Sequence, residues 1–129
     1  MKVKILLSFI CLLLIACDKK PEVLAGLDFS LWEKDKFGCN GYRKNQVNLL
    51  QLNKDDLLTF SEKEIVNMLG VANETELIDR SEKYYIYILQ GSTKCNKDSR
   101  DEVIYLRLRF NSLGYSKEVL ILAEKYNNS

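Results

Sequence analysis

The strongest constraint on the fold is a change of apolar period partway along the chain. Before residue 80 the apolar positions recur at roughly helical spacing, and from Lys83 onward they alternate. Because side chains on a strand point to opposite faces in turn, a period of two over eight or more residues specifies a half-buried strand. The segment KYYIYILQG puts Tyr85, Tyr87 and Leu89 on one face and Tyr84, Ile86 and Ile88 on the other. VIYLRLRF sets Ile104, Leu106, Leu108 and Phe110 against Tyr105, Arg107 and Arg109. NSLG is a turn, with Gly114 suited to a positive φ, and YSKEVLILAEKY returns as a third strand. A four-residue turn pairs Phe110 with Tyr115, Leu106 with Val119, Ile104 with Ile121 and Arg107 with Glu118, and that last pair favours the register.

The earlier segments read as helices. In DFSLWEKDKFG, Ser30 is a candidate N-cap, Leu31, Trp32 and Phe37 are apolar, and Gly38 is a stop. A second helix is expected from Tyr42 to Leu52. The third, FSEKEIVNMLG, has the sharpest local signature: Ser61 and Glu64 form a capping box, and Phe60 and Ile65 a hydrophobic staple. Ile65, Met68 and Leu69 share a face, and Gly70 supplies the left-handed stop. Helices followed by strands predict an α+β domain, with N-terminal helices packed on one face of a three-stranded antiparallel meander.

The N-terminus carries a targeting segment. Lys2 and Lys4 precede an apolar run of 11 residues from Ile5 to Ile15, which contains Cys11. That run is too short to span a bilayer of about 30 Å. It ends in Leu14-Ile15-Ala16-Cys17, which resembles a bacterial lipobox. The resemblance implies a diacylglyceryl group on the Cys17 sulfur, cleavage before Cys17 and acylation of the new amino group. Two or more acyl chains anchor a protein stably. The alternative is an ordinary signal peptide with a chance cysteine. The expected organisation is a signal peptide over 1–16, a lipidated tether over 17–26, one domain over 27–126 and a polar tail over 127–129. Asp18 resembles the inner-membrane retention signal of enteric lipoproteins, so inner and outer membrane both remain open.

Loss of residues 1–16 leaves 17 basic against 18 acidic residues, a formal charge of −1, and three cysteines. With Cys17 lipidated and the compartment oxidising, Cys39 and Cys95 are expected to form a disulfide. It closes a loop of 57 residues, for which chain entropy sets a ceiling of about 4 kcal/mol. Two free thiols are the alternative, although no C-x-x-C pair or histidine accompanies them.

Functional classes narrow by chemistry. Charge near balance removes a generic attraction to nucleic acid, and the chain contains no histidine to serve as general base or zinc ligand. Glu64 is accounted for by capping, and Asp55-Asp56 by a solvated turn, which leaves little support for a carboxylate pair with Glu62. Asp98, Asp101 and Glu102 lack the alternation and central glycine of a calcium loop. Asn73-Glu74-Thr75 fits a glycosylation acceptor that a bacterial lipobox makes irrelevant. Gly38 and Gly41 fit a tight turn beside the disulfide. No catalytic set, cofactor, metal or small-molecule substrate is expected.

LTFSEKEIVNMLGVAN and LRLRFNSLGYSKEVLI resemble the small-protein-A/outer-membrane-lipoprotein-A family, over roughly Leu58 to Glu124. Members of that family are lipoproteins accessory to the β-barrel assembly machine, and the β-lactamase inhibitor proteins share a related fold. The resemblance implies an envelope protein that works by binding. In the sheet, Tyr105, Arg107 and Arg109 share a face with Leu120 and Leu122, while Ile104, Leu106, Phe110, Val119 and Ile121 form the core face. Tyrosine, arginine and exposed leucine suit a partner surface, and an amphipathic exterior or a covered face is the plainer alternative. Two functions follow: a lipid-anchored accessory module binding an envelope protein, or an inhibitor or immunity-type protein blocking a periplasmic or incoming enzyme. The anchor is tested first. A Cys17→Ala chain should accumulate as precursor or be released without lipid, as read by palmitate labelling and fractionation. If that chain is still processed and membrane-bound, the lipobox reading fails.

Overall fold

The structure is a computed structural model and describes residues 22–91, 94–95 and 102–125. Cys17, the signal segment, the start of the tether, Asp98, Asp101 and the polar tail lie outside these residues.

A 3₁₀ turn at Glu22–Leu24 leads into α1 (Phe29–Lys34). After it come α2 (Tyr42–Asn45) and α3 (Val47–Asn53). A second 3₁₀ turn, Asp55–Leu57, precedes α4 (Glu62–Leu69). Four strands follow: β1 (Glu74–Leu77), β2 (Lys83–Gln90), β3 (Glu102–Phe110) and β4 (Ser116–Lys125). They form one antiparallel sheet in the order β1-β2-β3-β4.

The α+β arrangement therefore has four strands, not the expected three, and helices of only four to eight residues. The extra strand, β1, reads Glu-Thr-Glu-Leu and is exposed at every position. Glutamate is depleted in strands and an all-exposed edge shows no alternation, so neither composition nor period signals it. It exists because β2 offers a free edge, on which Glu74 pairs with Ile86 and Glu76 with Tyr84. Its two carboxylates then discourage further strands from adding.

The expected Tyr42–Leu52 helix is also broken. Gln46 N–H donates back to the Arg43 carbonyl, an i→i+3 bond that tightens the last turn of α2 before the chain restarts at Val47. The first helix is capped by Asp28, not Ser30, with its carboxylate accepting from Leu31 N–H at 3.1 Å. At α4 the capping box forms as the spacing demands. Ser61 Oγ accepts from Glu64 N–H at 3.2 Å, and Glu64 Oε2 accepts from Ser61 N–H at 2.8 Å. In the β3–β4 hairpin the pairing is shifted from expectation, by one at Phe110 and by two from Arg109 onward. A bulge at Lys117 places Phe110 beside Ser116, Arg109 beside Glu118 and Arg107 beside Leu120. A shift of two preserves the faces, so inward and outward residues stay as the alternation assigned them.

All the helices lie on one face of the sheet. The fully buried core joins Trp32, Leu50, Leu57, Ile65 and Leu69 from the helical layer with Tyr87, Leu89, Leu106, Leu108 and Phe110 from the sheet. Leu24, inside the stretch read as tether, is also buried in it.

Two charged groups, Arg43 and Asp35, are buried with this core. Arg43 is 1% exposed. Its Nε donates to the Trp32 carbonyl at 3.0 Å, and Nη1 lies within 3.1–3.2 Å of Lys36 O, Asn73 Oδ1 and Ile88 O. The guanidinium also stacks on the Trp32 ring, 4.2 Å from its centroid. Burial pushes its pKa down and the charges of Glu33 and Asp35 push it back up; an arginine stays cationic throughout. Asp35, 2% exposed, holds the turn by accepting from Asn40 N–H and Arg43 N–H. Arg43→Met should cost about 3–5 kcal/mol, because it strands several buried acceptors at once. Urea unfolding followed by the fluorescence of the single tryptophan measures this, and a loss under about 1 kcal/mol would remove Arg43 from this role.

Candidate functional site

The face turned away from the helices carries the residues expected to bind a partner. Tyr105, Arg107 and Arg109 stand on β3, with Leu120 and Leu122 beside them on β4. Read across the strands, one row runs Glu74, Ile86, Arg107, Leu120; the next Glu76, Tyr84, Arg109, Glu118; a third Ile88, Tyr105, Leu122. Every member of these rows on β2, β3 and β4 is half-buried, while both β1 glutamates are exposed. The face thus has an aliphatic and aromatic middle, two guanidinium groups at its centre and carboxylates at both edges, Glu74 and Glu76 on β1 and Glu118 and Glu124 on β4.

Internal contacts hold part of this surface. The Arg107 guanidinium lies over the Tyr84 ring, 4.4 Å from its centroid, and its Nη2 is 3.9 Å from Glu118 Oε1. That ion pair is diagonal across the strands, because the bulge moved Glu118 opposite Arg109. At this distance and exposure it contributes little. The Nε–H groups of both Arg107 and Arg109 are shielded from solvent and have no acceptor; an unmatched donor of this kind costs about 1–3 kcal/mol. Tyr105 OH donates to Glu124 Oε1 at 2.5 Å.

An open groove of about 560 Å³ runs over this face, between the β1 glutamates, Ile86 and Ile88, Tyr105 and Arg107. Phe37 and Lys94 close one end, with the Lys94 ammonium 4.3 Å above the Phe37 ring. The Cys39–Cys95 disulfide, with Cα atoms 5.3 Å apart, ties these two segments together. The Phe37 carbonyl oxygen lies 3.6 Å from Cys95 Sγ, in contact with the disulfide, whose sulfurs carry no proton to donate. Gly38 has φ +67°, and a Cβ there would meet the Leu89 carbonyl group and Gln90 N at 2.8 Å. Only glycine lets this turn lie directly on the β2 bulge. Gly41, also at positive φ, opens α2.

Several contributors were not singled out from the sequence as site residues. Tyr84, Ile86 and Ile88 were readable as one face of β2, but which face looks outward depended on the helices. Glu74 and Glu76 depended on β1. Asn73 gave only a glycosylation pattern; its Oδ1 accepts from Arg43 Nη1 and from Ile88 N–H, and its Nδ2 donates to Lys36 O. It is a structural staple at the rim of the groove. Asp55 and Asp56 sit in an exposed 3₁₀ turn, and Glu62 pairs with Lys83 at 2.8 Å and accepts from Tyr85 OH. Among the described residues no group of three or more His, Cys, Asp or Glu could hold a metal ion, and no helix is long and apolar enough to cross a membrane. No family model, curated protein or solved structure matches the chain.

The Tyr105–Glu124 contact gives the face a titratable marker. The hydrogen bond to Glu124 raises the Tyr105 pKa, burial and the carboxylate charge add to this, and Arg107 opposes it. A raised folded value means that the contact stabilises fully below the ordinary tyrosine range near 10 and is lost as pH rises through the folded value. Glu124→Gln should bring Tyr105 back towards ordinary titration, read by NMR of its ring. An unchanged curve would show that the contact is not populated.

Proposed function

We propose that the chain is a lipid-anchored protein of the bacterial cell envelope that works without catalysis, by binding a protein partner through the outer face of its sheet. The observation that carries this reading is the asymmetry of the sheet. One face is packed under the helices, while the other keeps Tyr84, Tyr105, Arg107, Leu120 and Leu122 half-buried, with Tyr105 and Arg107 lining an open groove. Tyrosine and arginine are the residues that most often carry binding energy at protein interfaces. Support for the anchor comes from the Leu-Ile-Ala-Cys junction and from its position. Only four residues, 18–21, separate Cys17 from the first described turn, a span of at most about 17 Å between neighbouring ends. The domain would work close to the membrane, where an envelope partner would also be held.

Crosslinking in intact cells followed by capture of the full-length chain tests the reading. Arg107→Glu with Leu120→Asp should fold, remain anchored and lose its principal partner, with affinity down at least about 30-fold. If the folded double variant keeps every partner, the outer face is not the binding surface.

A further inference from the structure

We infer that the partner docks a mainly aliphatic protein segment bearing an isolated carboxylate, and that this carboxylate is received by Arg107 and Arg109 together. The inference rests on the outer face being the partner surface, and it names the chemistry of what binds there.

Arg107 and Arg109 are two positions apart on β3, so their side chains leave the same face about 7 Å apart. Their Nε–H groups are both shielded from water and both lack an acceptor. The protein's own acids do not supply one. Glu118, the strand neighbour of Arg109, instead reaches diagonally towards Arg107 at 3.9 Å. Among the described residues Arg109 makes no ion pair. Glu124 is engaged by Tyr105, and Glu74 and Glu76 stand two strands away from β3, about 9–10 Å. The Nε–H groups are closed to solvent, so a carboxylate from outside would meet the Nη ends of these two half-buried side chains, of which Arg107 is already held against the Tyr84 ring. The planar fork of a guanidinium matches a carboxylate in a way an ammonium does not.

The surroundings set what carries the carboxylate. Ile86, Leu120 and Leu122 flank the arginines and favour aliphatic side chains on either side of the acid. Glu74 and Glu76 line the open edge of the groove. They repel a polyanion, so the pattern disfavours an anionic lipid surface and favours a protein segment with one acid among apolar residues.

The test places a photo-crosslinking amino acid at Leu122 in the full-length, membrane-anchored chain and identifies the crosslinked peptide by mass spectrometry. The expected peptide belongs to another protein and carries an Asp or Glu among aliphatic residues. Replacing that acid by its amide should lower the crosslink at least tenfold, a change made entirely on the partner and therefore blind to the folding of this chain. Arg107→Gln with Arg109→Gln, checked by near-ultraviolet circular dichroism, should do the same. Arg107→Lys with Arg109→Lys, which keeps the charge but removes the planar fork, should fall between. A segment without an acid, an undiminished crosslink after the amide change, or a lipid or second copy of this chain as the crosslinked species overturns the inference while leaving Leu122 at an interface. If nothing crosslinks at Leu122, the outer-face reading falls and takes the inference with it.

Discussion

The buried guanidinium of Arg43 is the interaction on which the remaining structure depends. Removing a cation from water is expensive unless it is surrounded by acceptors. Here they come from four separate pieces of chain: the Trp32 carbonyl on α1, the Lys36 carbonyl in the turn after it, Asn73 ahead of β1, and the Ile88 carbonyl on β2. No one of these segments is stable alone. Helices of four to eight residues fall well short of the length at which an isolated helix persists in water. The arginine gives them a common point of attachment, with the Trp32 ring beneath it and the Trp32 Nε1–H donating to the Leu69 carbonyl of α4 at 2.8 Å.

That attachment also shapes the surface on the far side of the sheet. Asn73 belongs to the Arg43 cluster and to the lining of the groove at once, and its Nδ2 donates to the Lys36 carbonyl at 2.8 Å. The turn that carries Phe37 is held from below by Arg43, against the β2 bulge by Gly38, and sideways by the disulfide from Cys39 to Cys95. One wall of the groove is therefore built by the same contacts that close the core, so the groove is a fixed feature of the sheet's outer face. A preformed surface loses less freedom on binding than one that must be ordered first.

The two sheet faces divide the work. On the inner face, Tyr87, Leu89, Leu106, Leu108 and Phe110 pack to zero exposure, with the half-buried Tyr85 against Phe110 at 4.7 Å between ring centroids and Tyr87 OH donating to the Gly70 carbonyl. The outer face keeps its polar groups incompletely matched, two guanidinium donors among them. Bonding is incomplete on the buried side too, where Ser116 Oγ has no partner, but the unmatched guanidinium donors are on the open face, and that is the physical ground for reading it as interaction surface.

Much of the plan was legible without coordinates because it depends on local rules. The Ser61–Glu64 box follows from spacing alone, since both partners lie within one helical turn. The faces of β2, β3 and β4 follow from alternation, and they survived a two-residue error in register because side chains repeat every two. The cysteine pairing followed from there being only two candidates. What local rules could not supply were the features fixed by distant partners. β1 is a strand only because β2 leaves an edge for it. The break at Gln46 accompanies the burial of Arg43 among carbonyls up to 45 residues away. The bulge at Lys117 moved Glu118 off Arg107, and so left the arginine pair short of acceptors. By itself, then, the sequence determined which residues alternate, which helix is capped and which cysteines pair. The tertiary structure alone decided that a buried arginine joins the layers, and which polar groups on the open face were left without partners, because those outcomes depend on contacts far apart along the chain.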